Sequence, residues 1–514
     1  MTSQSRPAST EAGLTFYSFA ILGAMLIFAP LIKGGNRPLP LMILEISSVA
    51  LLFSLLVRLE FNKHLSKAFL SALAALVALP LIQLLPLPDS VWSLLPGRDL
   101  YAEAASSVGA SVRGAVSLIP TATNAAFLVL LIPLAVFLAT VSTSAVQLKH
   151  LVNLFIALAT LQAVIGLAQY GTGSLTVFWP QEGGRISSAL GTYPNYNHFA
   201  GFLEMALPLA LALLVANVDF GSRKAQQSSR RDSLRQRLRK IFSGGLRVNA
   251  VAFYSAAALA ILLGIVFSRS RTGIALAMLG ILLCALIFGA HMGGATRSKR
   301  LITLFGVIGF ALALEIGLLP VLARFSDGGV VDHVRLSIFS GTIQGIWEFF
   351  PFGSGLGTYP AVFRRFQPDD VPLFVNHAHN DYLEWLFEGG LASAILMLAF
   401  ATFYLLRWRE IWPTGNNRWT RITFLRAAAG ISLLLMGMHG LLDFNLHIPA
   451  NAAFFAFVAG VFFHAGETER QPDDSRKSEV TKPVTESKPQ PPVPWREPVP
   501  EVPNPFADLS PNQE

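Results

Sequence analysis

The chain has 514 residues, of which 53% are hydrophobic and only 14% are charged. This balance excludes an ordinary water-soluble globular protein, because the apolar runs are too long and too numerous for one buried core. The formal net charge of +8 does not indicate a nucleic-acid-binding protein, since the surplus cations fall in loops between apolar runs, where anionic lipid headgroups account for them.

The apolar runs predict about twelve membrane-spanning helices. A helix needs ~20 apolar residues to cross a bilayer, and these runs are too long and too irregular in polarity for barrel strands. The predicted spans are roughly 14–32, 39–57, 68–86, 123–141, 151–170, 198–217, 249–267, 273–290, 301–320, 388–406, 425–442 and 450–464. The predicted fold class is therefore all-α, a polytopic integral membrane protein.

The loop charges set the predicted orientation. Lys and Arg concentrate around 58–67, 223–247, 297–300 and 407–426, and the positive-inside rule makes those loops cytoplasmic. An even number of spans then places both termini in the cytoplasm. Three longer segments are predicted on the outer face, namely 87–122, 171–197 and 321–387.

Three regions follow from this organisation. Residues 1–148 hold the N-terminal membrane helices, and residues 149–465 hold a second transmembrane domain that includes the large outer loop 321–387. Residues 466–514 are rich in Pro, Glu, Lys and Ser with almost no aliphatic residues. Such a composition cannot form a packed core, so the segment is predicted to be a disordered cytoplasmic tail.

Two arginines lie where a membrane protein should avoid them. The turn Ser268-Arg269-Ser270-Arg271-Thr272-Gly273 joins two predicted spans on the outer face. Charges held against the positive-inside bias need a reason, and the planar fork of arginine binds phosphate through two parallel hydrogen bonds. We therefore predict that Arg269 and Arg271 bind a diphosphate. The alternative is that they only reach lipid headgroups.

Histidines and carboxylates recur elsewhere on the predicted outer face. The segment 376–390 reads NHAHNDYLEWLFEGG, and His439, Asp443 and His447 are spaced by four residues. That spacing places the last three along one stripe of the predicted eleventh helix. Such a group could take a proton from an attacking hydroxyl, whereas the alternative for the stripe is an interhelical hydrogen-bond network.

A metal site is a weaker interpretation of the same residues. His377, His379, Asp381 and Glu384 crowd one segment, but the sequence contains no HExxH motif. Arginines around a site also repel a cation. We therefore predict no metal and no cofactor.

Taken in this order, the features resemble the O-antigen ligase and polymerase superfamily of bacterial membrane enzymes, which share the Wzy C-terminal domain. The resemblance covers roughly residues 150–465. It rests on the segment 191–198 that leads into a helix, the Arg269/Arg271 turn, the large outer loop, and the HNDYL segment at 379–383 followed by Glu388-Gly389-Gly390. It implies a metal-independent GT-C-type glycosyltransferase that takes a glycan from undecaprenyl diphosphate at the periplasmic face of the inner membrane.

The same resemblance assigns roles to individual residues. It implies that Arg271, with Arg269, binds the diphosphate and that His379 is the base or the acceptor-orienting group. Arg185 is a further anion contact by position. Asp443 and His447 lie in the segment 443–449, which resembles superfamily members of exopolysaccharide assembly, and we add them as catalytic candidates. The predicted catalytic set is His379, Arg271, Asp443 and His447, and the predicted diphosphate-binding set is Arg269, Arg271 and Arg185.

The resemblance also implies the partners. These are an undecaprenyl-diphosphate-linked glycan donor, a glycan or lipid A-core acceptor, membrane lipids and polysaccharide assembly machinery, with no nucleic acid. The segment 443–449 favours a polymerase over a ligase. The rival interpretation is a flippase or transporter of lipid-linked sugars without catalysis, but no internal repeat is apparent and the polar residues cluster at the outer ends of the spans.

Overall fold

The computed structural model describes residues 8–58, 65–109, 114–173, 187–228, 250–291, 333–412 and 419–465, together with the isolated positions 303, 307 and 311. In this part of the chain there are fifteen α-helices and no strand, apart from one isolated bridge between Pro86 and Ala115. The predicted all-α fold class is confirmed. The predicted tail, 466–514, lies outside the described residues.

The α-helices in chain order are α1 (Ala8–Phe28), α2 (Pro38–Arg58), α3 (Lys67–Gln83), α4 (Asp89–Trp92), α5 (Asp99–Ser107), α6 (Pro120–Val141), α7 (Ala145–Thr172), α8 (Tyr196–Ser228), α9 (Ala250–Ser268), α10 (Arg271–His291), α11 (His333–Phe349), α12 (Tyr359–Val362), α13 (Asp381–Ile411), α14 (Arg421–His439) and α15 (Pro449–Phe463). Short 3₁₀ helices lie at Lys33–Gly35, Phe363–Arg365 and Asn445–His447.

Eight of these helices are long and apolar enough to cross a membrane, namely α2, α6, α7, α8, α9, α10, α13 and α14. Three shorter apolar helices match further predicted spans: Phe16–Phe28, Lys67–Gln83 and Pro449–Phe463. The predicted span 301–320 lies outside the described residues, except for its isolated positions. The chain is therefore a multi-pass membrane protein.

Helix α8 lies at the centre of the bundle. An 18-residue apolar stretch within its membrane-spanning part, Tyr196–Val218, is buried throughout, whereas only 17% of the corresponding stretch of α13 is buried. Helix α8 packs against α7, α9, α10, α14 and α15. A polar side chain on α8 must therefore find its partners within the bundle, because neither water nor lipid headgroups reach it.

Parts of the segments predicted to lie on the outer face form a packed subdomain. A second apolar core joins α11, α12 and the start of α13, and consists of Ile338, Phe349, Tyr359, Val362, Phe363, Val371, Val375, Ala378 and Phe387. Arg98, which is fully buried, crosses to this core and donates a hydrogen bond to Gly353 O at 3.1 Å. At Gly97, with φ +74°, a Cβ would lie 2.5 Å from the Phe349 ring, so the approach requires glycine.

At two places near the site the helix ends differ from the predicted spans. Helix α13 begins at Asp381, before the predicted span 388–406, because the Asn380 side chain caps it by accepting hydrogen bonds from two backbone N–H groups of the first turn. A kink at Gly390, with φ +56°, separates this first part from the longer part that holds most of the predicted span. Helix α14 ends at His439 and not at 442. The predicted stripe of His439, Asp443 and His447 is therefore wrong, because only His439 belongs to the helix and His447 lies in a 3₁₀ helix beyond it.

Candidate active site

Six helix ends meet at one end of the bundle, which we call the site end: the starts of α8, α10, α13 and α15 and the ends of α9 and α14. Hydrogen bonds join these helix ends. Asp381 N donates to Gly440 O at 2.8 Å, which fixes the start of α13 against the end of α14. Asn451 Nδ2 donates to His198 O at 3.0 Å, which fixes α15 against α8. Side chains from distant parts of the sequence therefore converge here.

The segment that leads into α8 is fastened to α7. The Gln162 side chain accepts a hydrogen bond from Thr192 N at 2.9 Å and donates one to Thr192 Oγ1 at 2.8 Å. Gln169 Nε2 donates to Gly191 O at 2.7 Å. Gly191 has φ +59°, and a Cβ there would lie 2.5 Å from Gln162 Oε1. The polar segment 191–198, singled out in the sequence, thus sets where α8 begins.

The arginine turn between α9 and α10 is held by its serines. Ser270 is buried, and its Oγ accepts a hydrogen bond from Gly273 N at 3.2 Å. Arg269 has φ +61° and is exposed, and its Nη1 donates to Ser187 O at 3.3 Å. Arg271 is also exposed. The serines fix the backbone, so both guanidinium groups are presented at the surface of the site end.

This turn lies against the first turn of α8. A Cβ added to Gly273 would be 2.6 Å from Ala200 Cβ, and one added to Gly201 would be 2.5 Å from Asn445 Oδ1. The arginine turn and the segment after α14 therefore pack on neighbouring positions of one helical turn. The predicted anion contact Arg185 lies outside the described residues.

The first carboxylate–histidine group joins two of the predicted residues. His379 Nδ1 lies 3.4 Å from Asp443 Oδ1, and the side chain of Asp443 is 2% exposed whereas that of His379 is 32% exposed. Burial opposes the ionisation of Asp443, but the close approach of His379 and the nearby His198 outweigh it and hold the pKa of Asp443 well below its usual value. Asp443 is therefore ionised at neutral pH.

The second group surrounds His447. Its Nδ1 lies 2.8 Å from Asp381 Oδ1 and its Nε2 lies 3.2 Å from Glu384 Oε1. His377 Nδ1 approaches the same Glu384 oxygen at 2.8 Å. Burial alone would lower the pKa of His447, but Glu384, Asp381 and Glu388 outweigh it and raise the pKa to about 10. His447 is therefore a cation at neutral pH.

The ring of Phe444 packs among three histidines. It stacks on His377 at a centroid distance of 4.2 Å and meets His198 and His379 edge to face at 4.7 and 5.0 Å. Aromatic rings in these arrangements attract one another beyond the area they bury. Phe444 therefore fixes the histidine rings from both groups with respect to one another.

Sequence reasoning singled out the segment that contains His198 without assigning that residue a role, and it missed Glu204; both residues lie on α8. Glu204 Oε1 is 3.0 Å from His439 Nδ1, and both side chains are completely buried. His198 Nε2 lies 3.9 Å from Asp443 Oδ1. A carboxylate inside an apolar span is by default a functional candidate, and this signal could have identified Glu204.

One group in the described part of the chain has metal-ligand spacing. Its members are His377, Glu384 and His447, whose ligand atoms lie within 4.8 Å of one another. Asp381 would support His447 from behind, as a carboxylate does for many zinc-bound histidines. The protonated His447, however, already neutralises these carboxylates, and a cation would first have to displace that proton.

The structure thus brings His379 and Asp443 into contact and places His447 in a neighbouring group. It places Arg269 and Arg271 at the same end of the bundle, on a turn that packs against α8 beside the segment that follows α14. In the comparison with protein families, the model described as O-antigen ligase (Wzy_C) matches residues 256–398, a range that holds the arginine turn and the start of α13. Among curated proteins, none is similar enough in sequence to match the chain.

Proposed function

We propose, from the match of residues 256–398 to the O-antigen ligase family model, that the chain transfers a glycan from undecaprenyl diphosphate to an acceptor hydroxyl at the periplasmic face of the bacterial inner membrane. The observation that carries this proposal is the contact between His379 and Asp443 at the same bundle end as the exposed Arg269/Arg271 turn. The site end is then the periplasmic end, and both termini are cytoplasmic.

The arginine turn is the proposed diphosphate-binding element. Arg271 is the first residue of α10 and is exposed. Its guanidinium adds a permanent charge to the positive end of the helix dipole, and both attract an anion. Arg269 extends the same surface. Bound here, the diphosphate lies at the depth of the lipid headgroups, while its polyprenyl chain remains in the bilayer.

His379 is the proposed base. Because its Nδ1 faces the ionised Asp443, the other ring nitrogen is left to accept a proton. The acceptor hydroxyl oxygen bonds to the anomeric carbon as its proton passes to His379. The bond from that carbon to the diphosphate oxygen breaks with its electron pair on the diphosphate, where the arginines stabilise the new charge. The products are the lengthened glycan and undecaprenyl diphosphate.

Asp443 and His447 receive different roles in this proposal. Asp443 orients His379 and stabilises the imidazolium that forms, as the aspartate of a Ser-His-Asp triad does. His447 is already protonated at neutral pH, because the three carboxylates around it raise its pKa to about 10. It cannot then act as a base, and we assign it to holding Asp381 and Glu384 at the start of α13.

The test is to delete the gene in its host and to separate surface polysaccharide and undecaprenyl-linked glycans by length. Single repeat units without long chains support a polymerase, which the segment 443–449 favours. Long chains that remain on undecaprenyl diphosphate support a ligase acting on lipid A-core. Units that stay on the cytoplasmic face contradict the proposal, because they indicate a flippase.

A further inference from the structure

Glu204 and His439 form a buried carboxylate–histidine pair deep in the bundle that the reaction just described does not use. Glu204 lies about two turns into α8, His439 is the last residue of α14, and both have an exposed fraction of 0%. The 3.0 Å contact between Glu204 Oε1 and His439 Nδ1 joins two helices through residues that are 235 positions apart in the sequence.

Stability alone does not explain this pair. Ionisable groups within membrane helices are costly, and replacing a buried ion pair with well-packed apolar side chains is often neutral or stabilising. The same two helices are also joined without charge, since Ser432 Oγ donates to Met205 O at 2.7 Å. A charged pair beside that neutral bond calls for a role beyond helix association.

The pair is connected to the proposed base through the backbone. His439 O accepts hydrogen bonds from Leu442 N at 2.9 Å and from Asp443 N at 3.1 Å. These bonds fix the turn from which Asp443 reaches His379. A displacement of His439 therefore displaces Asp443 and, with it, His379.

The pair is also coupled to the site by charge. His439 interacts electrostatically with Asp443 and Asp381 in addition to Glu204, and His198 interacts with Asp443 and His439. Several buried polar atoms here have no hydrogen-bond partner: Glu204 Oε2, His439 Nε2, Asp443 Oδ2 and both ring nitrogens of His198. Unsatisfied buried polar groups are costly and mark places where structure serves another purpose.

We propose that Glu204 is a positioning residue for glycan transfer: its carboxylate fixes His439 at the end of α14, and His439 in turn fixes Asp443 against His379. This inference rests on the proposed function. The titratable groups around the pair are His198 on α8, Asp443 after α14, and His379 and Asp381 at the start of α13.

The test uses the purified full-length protein in lipid, with release of undecaprenyl diphosphate from a lipid-linked glycan as the readout. Glu204→Gln keeps the shape of the side chain and removes its charge. We expect a ~10- to 100-fold lower kcat, the cost of a small misplacement of the reacting groups. We expect KM for the donor to stay within about twofold, because the arginine turn is untouched. The pH dependence of kcat should change as well, because a charge near Asp443 and His379 is lost.

Ser432→Ala is the matched control, because it removes the neutral bond between the same two helices. It should keep kcat within about twofold. If Glu204→Gln does not fold, the paired variant Glu204→Met with His439→Leu restores packing without charge, and it should fold but transfer slowly. Normal kcat and an unchanged pH profile in either Glu204 variant overturn the inference, as does an equal loss in Ser432→Ala.

The same assay separates this inference from the proposed function. If the wild type releases no undecaprenyl diphosphate, or if His379→Ala is as active as the wild type, the proposed function fails. If His379→Ala is inactive while Glu204→Gln is normal, the function stands and only the positioning role of Glu204 is rejected.

Discussion

The arginine turn and the histidine–carboxylate groups lie at the same end of the bundle but are built in opposite ways. Arg269 and Arg271 are exposed on a turn whose shape depends on buried serines. Asp443, Asp381 and Glu384 are buried and depend on histidines from other segments. The turn can therefore lose a side chain and keep its fold, whereas the buried members of the groups cannot. Substitutions in the two regions should differ in whether they change activity, stability or both.

The largest expected effect on activity comes from His379, the partly exposed member of the first carboxylate–histidine group. His379→Ala should lower kcat by ~10²–10⁴, the usual contribution of a general base, while unfolding stays close to the wild type because this side chain is 32% exposed. His333→Ala, an exposed histidine of the outer subdomain, is the control and should keep full activity. Equal rates for His379→Ala and the wild type would show that His379 does not act in the reaction.

Arg271→Ala should have the next largest effect and should define the turn as an anion-binding element. We expect a loss of ~10²–10³ in kcat/KM, as when one donor to a developing anion is removed, with an unchanged unfolding temperature. Arg271→Lys should recover only part of the loss, because lysine lacks the planar fork. Arg409→Ala is an exposed arginine near the opposite end of α13 and should be neutral. If Arg409→Ala loses as much activity, general surface charge explains the effect.

His447→Gln should affect stability, in contrast to both preceding variants. Removing one partner of a buried ion pair costs ~3–5 kcal/mol, so the unfolding temperature should fall. The raised pKa of His447 means that its stabilising contribution is complete below about pH 6.5 and is lost as pH rises through about 10. The difference in stability between the wild type and His447→Gln should therefore shrink as the pH rises from about 6.5 to about 10. His150→Gln, exposed on α7, should show no such dependence.

A smaller effect is expected within the turn itself. Arg269 has φ +61°, which glycine adopts without strain. Arg269→Gly should therefore leave the unfolding temperature unchanged or slightly raised and should lower kcat/KM less than Arg271→Ala does. The two rates measured side by side decide which arginine dominates, and a larger loss at Arg269 would reverse our assignment.

Chelation should have the smallest effect. The group His377, Glu384 and His447 has metal-ligand spacing, yet the protonated His447 supplies its positive charge. Treatment of the purified protein with EDTA should leave the rate of transfer unchanged. A loss of activity that is reversed by adding Zn²⁺ or Mg²⁺ would show that this group is a metal centre.

The same contrast explains how much of the protein could be predicted from its sequence. Apolar runs and loop charges are local signals, so the all-α fold and the arginine turn were accessible. The prediction that His439, Asp443 and His447 share one helical stripe was wrong, because a spacing of four residues places side chains together only on a continuous helix and α14 ends at His439. The pairings of Asp381 with His447 and of Glu204 with His439 depend on packing between helices far apart in the sequence, for which no local pattern exists.

The most direct test of the account is to reconstitute the purified protein in lipid vesicles with an undecaprenyl-diphosphate-linked glycan and to measure release of undecaprenyl diphosphate together with the length of the glycan product. The account predicts release coupled to a longer glycan or to a glycan on a new acceptor, and loss of both in His379→Ala and Arg271→Ala. Movement of intact lipid-linked glycan across the bilayer without any release would contradict it.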